Sequence, residues 1–297
     1  MKRTDLALEA RELWRERTAS ELPPGARGET GEEDGCTLER LEIAAPEAAQ
    51  ALGKPMGKYI TLTPEALLRR EEGAFETEAA LLGRLLRELL GLREGASVLV
   101  AGLGNEAITP DSLGPRTLRH VLATRHLVAS LPETFGAFRR VAVLPTGVLG
   151  NTGMESAELV KAAAEALRPD AVIAVDALAS RRLGRICRTV QLTDTGIVPG
   201  SGVGNARKEL SRATLGVPVV GLGVPTVVDA ATLAADLTEL SGRGEARPED
   251  FGEYGGGMMV TPREIDQQMA LMARLLGYGV DLALHDLSVS DVTALVG

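Results

Sequence analysis

Two short, nearly all-apolar runs, Val98-Leu-Val-Ala-Gly-Leu103 and Ala171-Val-Ile-Ala-Val175, constrain the fold of this chain most. Neither alternates polar with apolar residues, so each must be covered on both faces, as strands inside a parallel sheet are. Comparable runs occupy residues 141–145, 189–192 and 218–224. Helical patterns over 115–129, 154–167 and 226–240 lie between or after them. This alternation implies an α/β fold with a mostly parallel central sheet flanked by helices on both faces. Aromatic residues make up only 3% of the chain, so Leu, Val, Ile and Ala must fill the core.

The preceding residues read differently. A helix is expected over 4–18, a Pro-, Gly- and acid-rich loop over 21–35, and strands over 37–44 and 58–62. Phe75, Ala79, Leu82, Leu86 and Leu89 recur at helical spacing and predict a helix over 74–92. Residues 6–96 thus form a small N-terminal α+β portion ahead of an α/β core over 97–297, together one compact domain of 297 residues. Near the C-terminus, 241–257 reads as a loop. Thr261-Pro-Arg-Glu264 then supplies a capping box for a helix reaching His285.

Charge and composition exclude several roles. A net charge of −9 argues against nucleic-acid binding, which needs a basic patch. No stretch approaches the roughly 20 apolar residues of a membrane span. The charged N-terminus lacks the apolar region of a signal peptide, so a cytoplasmic location is expected. Cys36 and Cys187 stand in no metal-binding spacing, and His120, His126 and His285 are poorly placed as co-ligands. No metal or other cofactor is expected.

Several motifs carry potential chemistry. Gly102-Leu-Gly104-Asn105 is similar to a dinucleotide fingerprint but lacks its third glycine and the later acid. The loops holding Gly147, Gly150 and Gly153, and Gly200, Gly202 and Gly204, either expose backbone N–H groups to an anion, oxyanion or peptide carbonyl, or are turns that need positive φ. The second is not a nucleotide-binding P-loop, because no glycine precedes Lys208. Asp194-Thr-Gly196 occurs once without an all-β context and reads as a turn. Asp111 and Asp176 each follow an apolar run. Strand ends of a parallel sheet gather along one edge, so the two carboxylates either meet there to activate water or serve as caps and turns.

The ordered motifs resemble a known family. Arg3-Thr-Asp-Leu-Ala7, Gly102-Leu-Gly-Asn105, Thr109-Pro-Asp-Ser-Leu-Gly-Pro115, Thr124-Arg-His-Leu127 and Val175-Asp-Ala-Leu-Ala179 look like the germination protease of spore-forming bacteria. So do residues 196–209, Gly223-Val-Pro-Thr-Val-Val-Asp-Ala230 and Met259-Val-Thr-Pro262. The resemblance implies an atypical aspartic endopeptidase of the spore core. It would degrade small acid-soluble spore proteins at germination, with Asp111 and Asp176 as its essential pair. One aspartate would be ionised and take a proton from water; the other, protonated, would polarise the carbonyl and later protonate the amine. The fold implied is that of hydrogenase-maturation endopeptidases, and the assembly a homotetramer made as a zymogen.

Self-cleavage is implied between Asp5 and Leu6, where an acid precedes a hydrophobic residue and alanine. Residues 1–5 would be an unusually short propeptide, and the 241–257 connection is compact where many members carry an insertion. The competing readings are a maturation-type endopeptidase that recognises a metal centre on its substrate, and a non-catalytic nucleotide-binding module.

Overall fold

The computed structural model describes residues 4–201, 207–244, 246–252 and 257–296. The apolar runs form the strands expected of them: β4 (Val98–Leu103), β5 (Val141–Gly147), β6 (Ala171–Ala179) and β8 (Val219–Asp229) are mutually parallel in the order β8-β6-β4-β5. Along β4 and β6, successive residues alternate between two separate buried clusters, with Val98, Val100, Ile173 and Val175 on one face and Leu99, Ala101, Val172 and Ala174 on the other. Burial on both faces is why no polar alternation marked these segments.

The sheet as a whole is mixed, which corrects the expectation of a mostly parallel one. β1 (Ala26–Glu33), β2 (Cys36–Ile43) and β3 (Gly57–Thr63) run antiparallel to their neighbours, and β7 (Val190–Thr193) joins β3 to β8 antiparallel to both. The 180–189 connection before β7 holds a single 3₁₀ turn, Leu183–Arg185, and no crossover helix of the kind that returns a strand parallel. The N-terminal strands therefore extend the same sheet, nine-stranded among the described residues and completed by β9 (Met259–Val260) against β8.

Four local expectations also change. Residues 26–33, read as loop, are β1, whose polar residues are mostly exposed. Asp34 and Gly35, both at positive φ, turn it tightly into β2. The helix expected over 115–129 breaks into Leu113–Leu118, Arg125–Ser130 and Pro132–Phe135. Between the first two, Asp281 accepts the Leu122 N–H, and Thr124 bonds Arg139 and Val141, drawing the chain off helical geometry. Residues 226–229 remain in β8, and Asp229 caps the Ala230–Leu240 helix by accepting from Thr232 N–H at 2.9 Å. Thr261 caps nothing: its hydroxyl donates to the Thr226 carbonyl, and the last long helix starts at Ile265 and ends at Leu284.

Helices Ala74–Leu90 and Ile265–Leu284 cover one face of the sheet, and Ser156–Leu167 covers part of the other. The Ala7–Thr18 and Pro46–Leu52 helices close over Leu41, Ile43 and Tyr59 of β2 and β3. Among the described residues, no helix is long and apolar enough to cross a membrane.

Candidate active site

The C-terminal ends of β8, β6, β4 and β5 share one edge, where open α/β sheets present their binding crevice. Asp176 lies within the last part of β6, opposite Gly223 of β8, and is only 6% exposed. Its Oδ1 accepts a hydrogen bond from Ala177 N–H at 2.9 Å.

Asp111 reaches the same edge by a tight return of the chain after β4. It closes the 3₁₀ turn Thr109–Asp111, and its Oδ2 accepts the Asn105 N–H at 2.8 Å. Glycines make this possible. Gly104 has φ of +108°, and a Cβ on it would stand 1.9 Å from the Asp111 carbonyl oxygen; one on Gly114 would stand 2.3 Å from that of Leu103. The paired motifs Gly102–Asn105 and Thr109–Pro115 are thus two sides of one backbone contact. Thr226 of β8 secures the turn from beyond, donating its hydroxyl to the Pro110 carbonyl at 2.6 Å.

Asp111 and Asp176 line one cavity of about 490 Å³, together with Asp5, Gly104, Gly150 and Gly200. Their environments separate their titrations. Burial pushes Asp111 above the usual carboxylate range, opposed by the Asn105 N–H. Asp176 is pushed much further, first by burial and then by the negative charges of Asp111 and Asp5. Two acids whose proton affinities are driven apart in one cavity can hold a base and an acid at the same pH.

The expected cleavage point lies at this cavity. Asp5 N–H donates to the Ala179 carbonyl at 2.9 Å, and Ala179 N–H returns a bond to Asp5 Oδ2 at 2.8 Å. Ser201 donates its hydroxyl to Asp5 Oδ1, and the Leu6 side chain is fully buried. An ionic network anchors the helix that begins at Ala7. Glu9, fully buried, accepts Arg181 N–H at 2.6 Å and the Arg185 guanidinium at 2.9 Å; Arg181 in turn grips Glu16.

The other sequence candidates divide. Gly150 and Gly200 line the cavity; Gly147 and Gly153 do not, the first ending β5 and the second capping the Leu149–Thr152 helix, both at positive φ. Gly202 and Gly204 lie outside the described residues. Arg207 and Lys208 pair with Glu155 and Glu158 of the neighbouring segment. Asp194 is a turn residue whose carboxylate accepts Lys58 N–H at 2.7 Å. Burial pushes both Cys36 and Cys187 up to about 12, where the reactive thiolate is scarce. No group of three or more His, Cys, Asp or Glu residues suited to a metal occurs among the described residues.

Sequence reasoning missed Lys54 and Gln191. Lys54 follows the Pro46–Leu52 helix, Gln191 sits on β7, and both donate to the Asp5 carbonyl oxygen. No motif joins them, because they meet only through the placement of β7 beside β3.

Comparison with known proteins bears on this geometry. The sequence profile of the family described as germination protease matches residues 5–241. The germination protease of Caldanaerobacter subterraneus subsp. tengcongensis is 42% identical over 308 aligned positions, covering 95% of this chain and 94% of the relative. That of Clostridium perfringens (strain ATCC 13124) is 37% identical with 95% of each chain covered. The Halalkalibacterium halodurans protein, of the same name, is 36% identical over 348 positions, covering 95% of this chain and 93% of its own.

Proposed function

The chain belongs to the germination protease family and is a peptidase, and from that premise we propose that it is an aspartic endopeptidase in which Asp111 and Asp176 activate water. The observation that carries this reading is the shared cavity of the two carboxyls, with Asp176 held far above its ordinary titration by burial and by Asp111. Asp111, the more weakly shifted of the two, is the base. It takes a proton from water as the water oxygen bonds to the carbonyl carbon, and the carbonyl π pair moves to oxygen. When that oxygen re-forms the double bond, the C–N bond breaks and the nitrogen takes its proton from Asp176. Transfer of the proton held on Asp111 to Asp176 restores both acids.

Its substrates are the small acid-soluble proteins of the spore core, cut after an acid that precedes a hydrophobic residue. The enzyme acts there as a homotetramer. It is made as a zymogen that cuts itself between Asp5 and Leu6, a reading supported by Asp5 lining the cavity that holds both carboxyls. Incubation of the purified protein with a small acid-soluble spore protein, with fragments mapped by mass spectrometry, tests the assignment. Cuts after acidic residues, and a new N-terminus at Leu6, are expected. An intact substrate together with an unprocessed N-terminus would contradict it.

A further inference from the structure

Asp5 lines the cavity, and hydrogen bonds hold the chain on both sides of the Asp5–Leu6 bond. On the near side of the Asp5–Leu6 bond, the Asp5 carbonyl oxygen accepts from Lys54 Nζ at 2.8 Å and from Gln191 Nε2 at 3.3 Å. On the far side, Gln191 Oε1 accepts the Ala7 N–H at 2.7 Å, so one side-chain amide spans the bond. Lys54 Nζ also reaches the Thr4 carbonyl at 3.2 Å. A pocket of about 190 Å³ contains Asp5, Lys54, Gln191 and Asp176 together.

Resting on the reading of Asp111 and Asp176 as the water-activating pair, we propose that Lys54 and Gln191 are the clamp on the carbonyl oxygen of the bond being cut, and that Ala179 N–H and the Ser201 hydroxyl receive the acidic side chain before it. The chain's own Asp5 displays both subsites in use.

The chemistry of the clamp fits its composition. As water adds to the carbonyl carbon, the π pair moves onto the oxygen, where an ammonium and an amide N–H already point. A donor fixed in advance on a developing oxyanion is worth about 10²–10³-fold at close range, and the longer bond from Gln191 contributes less than that from Lys54. With the oxygen held in this way, Asp176 need not polarise the carbonyl and is left to protonate the departing nitrogen. The oxyanion role, one of two readings the sequence left open for the glycine loops, falls in this proposal to two side chains. Lys54 is drawn below the ordinary lysine range by burial, against the attraction of Asp5 and Glu9, so its charge is poorly hydrated and correspondingly strong toward a nearby oxyanion.

The acid subsite has a second consequence. The Asp5 charge is among the causes that raise Asp176, so a substrate acid helps keep the proton donor protonated. The hydrogen bonds to that acid come from a backbone N–H and a hydroxyl, while the Lys54 ammonium is attracted to it from the carbonyl side.

The test is steady-state cleavage of a synthetic peptide matching residues 1–12, using the full chain. Lys54→Met should lower kcat about a hundredfold with KM within threefold, Lys54→Arg should recover part of it, and Gln191→Leu should lower kcat about tenfold. Ser201→Ala should raise KM and narrow the preference for the Asp peptide over one with Asn at that position. Asp111→Asn and Asp176→Asn are run beside them. If those two are inactive while Lys54→Met and Gln191→Leu keep kcat within threefold of the unaltered chain, the clamp is overturned and the aspartate pair stands. If the clamp variants are slow and the aspartate variants cut normally, the clamp stands and the pair is overturned. Gln191→Leu, nearly isosteric, decides the matter should Lys54→Met fail to fold.

Discussion

At Gly104 the backbone turns with φ of +108°, and an added Cβ would press on the Asp111 carbonyl oxygen, a backbone atom that no rotamer change can move aside. Gly104→Ala must therefore displace the Asp111 turn. Misplacing a catalytic group by about 1 Å costs roughly 10²-fold in rate. We expect peptide cleavage by this variant to fall by about that factor, with a cooperative thermal transition retained; unchanged kcat would show that the turn tolerates the methyl group. The sequence offered Asp111 and Asp176 as a candidate pair because each follows an apolar run; caps and turns stayed open for both until the resemblance to a family singled them out, and the structure puts both on one cavity. Lys54 and Gln191 were not legible, since each taken alone is an ordinary polar residue, one in a connection and one on a short strand. Their meeting at Asp5 is a product of topology, and no local pattern encodes it.

At the scale of elements, the Ala7–Thr18 helix does more than cover β2 and β3. Glu9, Glu12 and Glu16 on it engage Arg181 and Arg185 of the segment after β6, and this docking holds the Asp5–Leu6 bond at the cavity. Burial would raise Glu9, but bonds from Thr4, Arg181 N–H and Arg185 outweigh it and leave its carboxyl below the usual range. Glu9→Ala leaves the Arg181 and Arg182 N–H groups without their acceptor and the part-buried Arg185 with Glu12 alone. Leaving buried donors without their acceptor costs about 1–3 kcal/mol, enough to loosen the helix locally. Hydrogen exchange across residues 4–18 should rise sharply while that of β4 and β6 stays protected; uniform protection would deny the docking role.

The same scale shows what patterns conveyed and what they did not. β4, β6 and β8 were visible as apolar runs because helices cover the sheet on both sides. β1 was invisible to that reasoning because its residues are mostly exposed, although the Asp34-Gly35 turn signal stood in plain view. The capping box at Thr261 failed because tertiary contact took its hydroxyl to Thr226.

For the whole molecule, buried acids couple stability to pH. Asp281, fully buried, accepts the Leu122 N–H and is pushed up to about 7 by burial. Below the ordinary aspartate range, both folded and unfolded chains hold its proton. As pH rises toward 7 the unfolded chain releases it and the folded one does not, so stability falls across this window and levels off above it. Asp281→Asn removes this contribution. Its loss of stability between pH 5 and pH 8 should be smaller than that of the unaltered chain by roughly 2 kcal/mol, read from denaturant melts at both pH values. Parallel losses in the two proteins would mean that the carboxyl is ionised throughout.

One sheet positions most of these groups: β4 leads into the Asp111 turn, β6 carries Asp176, β7 carries Gln191, and Asp5 and Asp176 line both cavities. If the two aspartates perform the hydrolysis, neither can be lost without losing the reaction. The most direct measurement is kcat for the residue 1–12 peptide in Asp111→Asn and in Asp176→Asn, each checked for an unaltered thermal transition. The account predicts that each folded variant loses at least about 10²–10⁴-fold in rate, the usual worth of a positioned acid or base. A rate within a few-fold of the unaltered chain in either folded variant would contradict it.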